Sequence, residues 1–195
     1  MIQVLSAEPK AAQAAFAAAS AERLQPLYVW FHEVSGQGDP ATLRSALDAV
    51  WDLVLGLPAP DNLSELQDAA ESLVTDDEDA NWVEQTAYAQ NAAAAVAYAV
   101  SSWISADPQD AVSAATQLYE AADYAAQQEI DLNAPGAEDV IRGQPVVQEG
   151  LEGIQADLRG VSRPGDQRAV ALEIREAARV GGARLARLVI AAPDA

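Results

Sequence analysis

The 195-residue chain has no cysteine and a single histidine, His32. Without cysteine, disulfides, iron–sulfur clusters and thiol nucleophiles are excluded. One histidine excludes every site that needs two, including HExxH zinc centres and di-iron bundles built on paired Glu-x-x-His motifs. A Ser–His–Asp triad remains arithmetically open. No G-x-S-x-G elbow, P-loop or GxGxxG accompanies His32, however, and a surface or half-buried histidine is the expectation. Phenylalanine occurs twice and methionine once, so Trp30, Trp51, Trp82 and Trp103 are expected to act as the large core fillers. A strongly apolar run is also missing. Residues 85–106 carry no charge, but they are mostly Ala, Ser, Gln, Asn and Thr without a single Leu, too polar for insertion into a membrane. A central, nearly buried helix explains that stretch better. The N-terminus has neither the basic stretch nor the Leu-rich core of a signal peptide. A soluble, cytoplasmic protein with no membrane contact is expected.

What the chain does have is alanine, roughly a fifth of all residues, well above ordinary usage. Alanine is the best helix former and supplies little apolar area, so helices must pack closely through small side chains. At this length one domain can bury a sizeable core. The fold expected is all-α, one domain over residues 1–195, a compact bundle of about seven or eight helices.

Net charge is −19, and it is unevenly placed. Residues 1–141 hold 23 acids and 3 bases, whereas residues 142–195 hold 7 acids and 8 bases. The acidic body would repel phosphates, so nucleic acid is not an expected partner. Solubility together with a high-GC genome, adaptation to high salt and mimicry of a nucleic acid are three readings of the acidity.

Punctuation residues place the elements. A first helix is expected from about Pro9, with Ser6 near its N-cap. Pro26 should break it, leaving residues 27–34 as a separate short helix. SGQGDP then closes one element and opens the next: Gly36 and Gly38 can take positive φ, Asp39 caps, and Pro40 begins the following helix. That helix, residues 40–55, buries Leu43, Ala46, Leu47, Val50, Trp51 and Val54 on one face. Further helices are expected over residues 63–74, over the central stretch capped by Asn81 or Asp79 and ending near 106, and from Asp107-Pro108 to about 130. A loop over residues 133–145 should precede helices at 145–158 and 166–190. The acidic run 75–80 is expected to be a solvated linker.

Chemical variety is concentrated in residues 21–54. Arg44 and Asp48 lie four apart on one helix face, with Trp51 about one turn further on; Glu22 and Arg23 sit just before Pro26. The frame Glu22-Arg23, Pro26, Tyr28, Phe31, Gly38-Asp39, Arg44, Leu47-Asp48 and Trp51 resembles the YjaG-like family of bacterial all-helical proteins, a domain-of-unknown-function family. The resemblance continues more loosely through ESLVTDDEDA, AYAQNAAAAVAYAV, DPQDAVSAA and QPVVQEGLEGIQADL. It implies a compact helical bundle and no established activity. Family members often end in a Ser-Asn-Ile-Gly-like tail, where this chain has GGARLARLVIAAPDA.

Two readings of Glu22, Arg23, Tyr28, Asp39, Arg44, Asp48 and Trp51 compete. One is a partly buried network locking the first helices together, tolerable only if every charge is paired. The other is a pocket in which Arg23 or Arg44 grips an anion while Glu22 or Asp48 does acid–base work. Separately, Glu149-x-x-Glu152 and Glu173-x-x-Glu176 form carboxylate pairs at helical spacing. Facing pairs of this kind can hold Mg²⁺, and all-helical nucleotide pyrophosphohydrolases use a comparable arrangement, closing the second motif with Asp where Glu176 stands here. Arg168, Arg175, Arg179, Arg184 and Arg187 follow on the last helix, suited to docking on the acidic body of this chain or of a second copy.

The leading expectation is a non-enzymatic protein acting through association, as a homodimer or with an unidentified protein. The alternatives are a Mg²⁺-dependent hydrolase of phosphorylated small molecules using Glu149, Glu152, Glu173 and Glu176, and an acidic nucleic-acid mimic. No cofactor is expected outside the Mg²⁺ reading.

Overall fold

A helix with no polar face is buried on every side, and the stretch AAQAAFAAASAERLQPL makes such a helix the post of this fold. In a computed structural model describing residues 1–74, 82–128 and 130–191, nine helices and no strand occur among the described residues. They are α1 (Ile2–Leu5), α2 (Lys10–Ser35), α3 (Pro40–Val54), α4 (Leu63–Ser72), α5 (Thr86–Ser105), α6 (Pro108–Gln127), α7 (Ala137–Gly143), α8 (Pro145–Val161) and α9 (Gln167–Ile190). The fold is all-α. Helices α3, α5, α6, α8 and α9 surround α2, and the buried side chains form one continuous core. None of the helices is long and apolar enough to cross a membrane.

Pro26 does not break α2, which runs unbroken from Lys10 to Ser35. The proline withholds one N–H from the helical ladder, but Leu24 and Leu27 on either side are fully buried, and packing holds the helix through the defect. Pro9 rather than Ser6 is its N-cap. Ser6 instead ends α1, and the Gln13 amide binds α1 to α2 by donating to the carbonyls of Leu5 (3.0 Å) and Glu8 (2.9 Å).

The turn into α3 follows its residues closely. Gly36 and Gly38 adopt φ of +69° and +74°, and Asp39 accepts from the backbone N–H groups of Ala41 and Thr42, both at 3.0 Å. Helix α5 begins at Thr86 with Gln85 as its N-cap; Asn81, Asp79 and the run 75–80 lie outside the described residues. Residues 133–145 are not all loop, since Ala137–Gly143 forms α7, and α8 extends to Val161 rather than ending at 158. Of the four tryptophans only Trp51 is fully buried; Trp30 and Trp103 pack half-buried against the core and Trp82 is exposed. Alanine fills the space the others were expected to take.

Candidate functional site

Helix α2 presents Glu22 toward α3 and α9, and both of its carboxylate oxygens are taken. The Arg44 guanidinium donates to Oε1 at 2.8 Å and to Oε2 at 3.1 Å, a forked pair. The Trp51 indole N–H donates to Oε2 at 2.9 Å, and Arg179 Nε donates to Oε1 at 3.2 Å. A carboxylate has about four acceptor positions, so this one is saturated. Arg44 also donates to Asp48 Oδ1 at 2.9 Å, and Arg175 binds the same oxygen while its guanidinium lies 5.6 Å from the centre of the Trp51 ring, within cation–π range. Three arginines thus answer two carboxylates across three helices. Burial weakens the Arg44 cation, but hydrogen bonds and charge from Glu22, then from Asp48, outweigh it and raise its pKa above the ordinary arginine value.

Arg23 turns the other way. One residue along a helix is a rotation of about 100°, and Arg23 is buried against α8, where it makes a forked pair with the buried Asp157 and donates to the Ala19 carbonyl at 3.2 Å. Burial pushes the Asp157 carboxyl up to about 6, against the pull of Arg23. Room for Arg23 comes from glycine. A Cβ at Gly153 of α8 would stand 2.6 Å from Arg23 Nε, and one at Gly182 of α9 would stand 2.9 Å from the Arg23 carbonyl oxygen.

Tyr28 and Asp39 form a third, local unit. The Asp39 N–H donates to the buried Tyr28 hydroxyl at 3.2 Å, and burial raises the Tyr28 pKa. The Thr42 hydroxyl and backbone N–H lower that of Asp39. His32 is half-buried and donates from Nδ1 to the Gln37 carbonyl at 2.7 Å, closing the same turn.

None of these units lines a pocket among the described residues: an open depression of about 660 Å³ runs along Leu172, Glu173, Glu176, Ala177, Val180 and Arg184 on the outer face of α9. A small apolar cavity of about 40 Å³ lies among Pro9, Ala12, Val54, Val161, Val170 and Ile174. It is far below the few hundred Å³ of an ordinary ligand pocket, and it touches none of the residues above.

A family model described as a protein of unknown function, DUF416, matches residues 2–184. The chain belongs to the DUF416 family. The crystal structure of a DUF416 family protein from Shewanella baltica OS155, at 1.91 Å, is similar with a TM-score of 0.79 and 20% identity, covering 91% of this chain and 92% of that one. At that identity the likeness is one of fold. No curated protein matches the chain.

Of the seven residues singled out in this DUF416 chain, Glu22, Arg44, Asp48 and Trp51 meet, Arg23 joins a separate pair, and Tyr28 with Asp39 build the α2–α3 turn. Arg175 and Arg179, expected to dock on an acidic surface, complete the first network; Asp157 went unnoticed. The signal lay in the small residues around its partner Arg23, because Gly153, Gly181 and Gly182 mark where α8 and α9 close on α2. The four glutamates do not gather. Glu149 pairs with Arg184 at 2.8 Å and Glu173 with Arg163, and among the described residues no group of three or more His, Cys, Asp or Glu is placed to hold a metal ion. The helical spacing that suggested a Mg²⁺ cradle is not realised as one.

Proposed function

We propose that this chain is a YjaG-like bacterial member of the DUF416 family that works in the cytoplasm by association, as a homodimer, rather than by catalysis. The observation that carries this reading is the outer face of α9. Leu172, Val180, Leu188 and Ile190 are 41–49% exposed there, interleaved with the arginines of the C-terminal region, while the body of the chain is acidic. A general base needs a lone pair within reach of a substrate proton, and the four acceptor positions of Glu22 are committed to arginine and tryptophan. Its neighbourhood is therefore a lock between helices, and the surface is where the chemistry of recognition remains.

Two copies at −19 each repel over long range. At physiological ionic strength that repulsion is screened beyond about 8 Å, whereas apolar contact and close ion pairs persist. Light scattering at physiological salt is expected to give twice the mass of one chain, falling toward one chain at very low salt. A single-chain mass at both ionic strengths contradicts the reading.

A further inference from the structure

We infer that the dimer forms by antiparallel pairing of α9 with α9 of a second copy about a two-fold axis at the level of Gly181 and Gly182. The inference rests on the association reading and goes further by naming the surface and the register. Glu173, Glu176, Val180, Ala183, Arg187 and Ile190 are all exposed and are separated by alternating steps of three and four, the spacing of a helix–helix seam. Leu172, 49% exposed, flanks the seam at one end. From Leu172 to Ile190 the face extends about 27 Å.

The charges on this seam are ordered. Its N-terminal half carries Glu173 and Glu176 and its C-terminal half carries Arg187. An antiparallel two-fold brings opposite halves together, as an isologous interface requires. In that register Val180 packs on Ala183 of the partner subunit, whose small side chain lets the helices approach. Glu176 meets Arg187 of the partner subunit, and Ile190 covers the end beside the partner subunit's Glu173. Each contact occurs twice. Intramolecular pairs occupy Glu173 (Arg163), Arg179 (Glu22) and Arg184 (Glu149). Glu176 and Arg187, by contrast, form no ion pair among the described residues, and they are the two the register places face to face. A parallel pairing would set Glu176 on Glu176 and Arg187 on Arg187, which like-charge repulsion disfavours.

Charge reversal tests the register with the full-length chain. Sedimentation over a concentration series should show Glu176→Arg and Arg187→Glu each weakening the dimer about tenfold. The double variant, which restores opposite charges across the axis, should return to the wild-type constant. Both side chains are exposed, so circular dichroism of all three variants should match wild type. Single variants that dimerise like wild type, or a double variant no tighter than the singles, overturn the α9 interface while leaving the homodimer standing. A wild-type chain that stays single at every concentration overturns both.

Discussion

Glu22 and Arg23 are adjacent in the chain, and each fixes a different neighbour of α2: Glu22 the pair α3 and α9, Arg23 the helix α8. The chemistry of Glu22 was legible at the level of residue type, because Arg44, Asp48 and Trp51 recur at helical spacing and charged residues beside an apolar face need partners. The direction of Arg23 was not, since one step along a helix decides which neighbour a side chain meets and a single sequence does not say where neighbours stand. Asp157 was hidden for a related reason, as one acid among thirty. If the Glu22 network is a lock, removing its forked donor must cost stability. Arg44→Ala strips two of the four hydrogen bonds on a carboxylate that is 4% exposed. The expected cost is about 2 kcal/mol, below that of a fully buried pair because the Arg44 side chain is itself 30% exposed. The thermal midpoint should fall by about 4–8 °C. An unchanged midpoint would return Arg44 to the ligand reading.

Among the elements, α3, α6 and α9 could be read from their starts, because Asp39-Pro40, Asp107-Pro108 and Asp166 supply caps at the places where helices begin. Helix α2 could not be read the same way. Its residues 12–25 are buried on every side, so they show no amphipathic stripe, and tertiary packing overrides the proline that follows them. The alanines and glycines that looked like bland filler are what let the helices close. At Gly182, α9 approaches α2 so nearly that a Cβ would stand 2.9 Å from the Arg23 carbonyl oxygen and 3.0 Å from its Cα, backbone atoms with no room to turn aside. Gly182→Ala should therefore destabilise the fold by about 1–3 kcal/mol. Gly143→Ala, where nothing lies within 4 Å, should be neutral or slightly stabilising. Equal thermal midpoints for the two variants would contradict the close crossing of α2 and α9.

Charge in the whole molecule is divided: the buried carboxylates Glu22 and Asp157 are answered by arginine, whereas Glu176 and Arg187 on the outer face of α9 form no ion pair among the described residues. This division explains why the fold was readable and the function much less so. The all-α class follows from composition and spacing, but a cluster of Glu, Arg, Asp and Trp looks the same in sequence whether it locks helices or holds a ligand, and fold alone carries no activity. The division also gives a sharp test. The chain has no cysteine, so a thiol introduced at Ala183, on the outer face of α9, is unique, and the proposed two-fold axis would bring its two copies close together. Treated with a short bismaleimide at equal concentration, Ala183→Cys should give a covalent dimer in high yield. A control thiol at Val140, exposed on α7, should not. Equal cross-linking of the two variants, or none in either, would contradict the account.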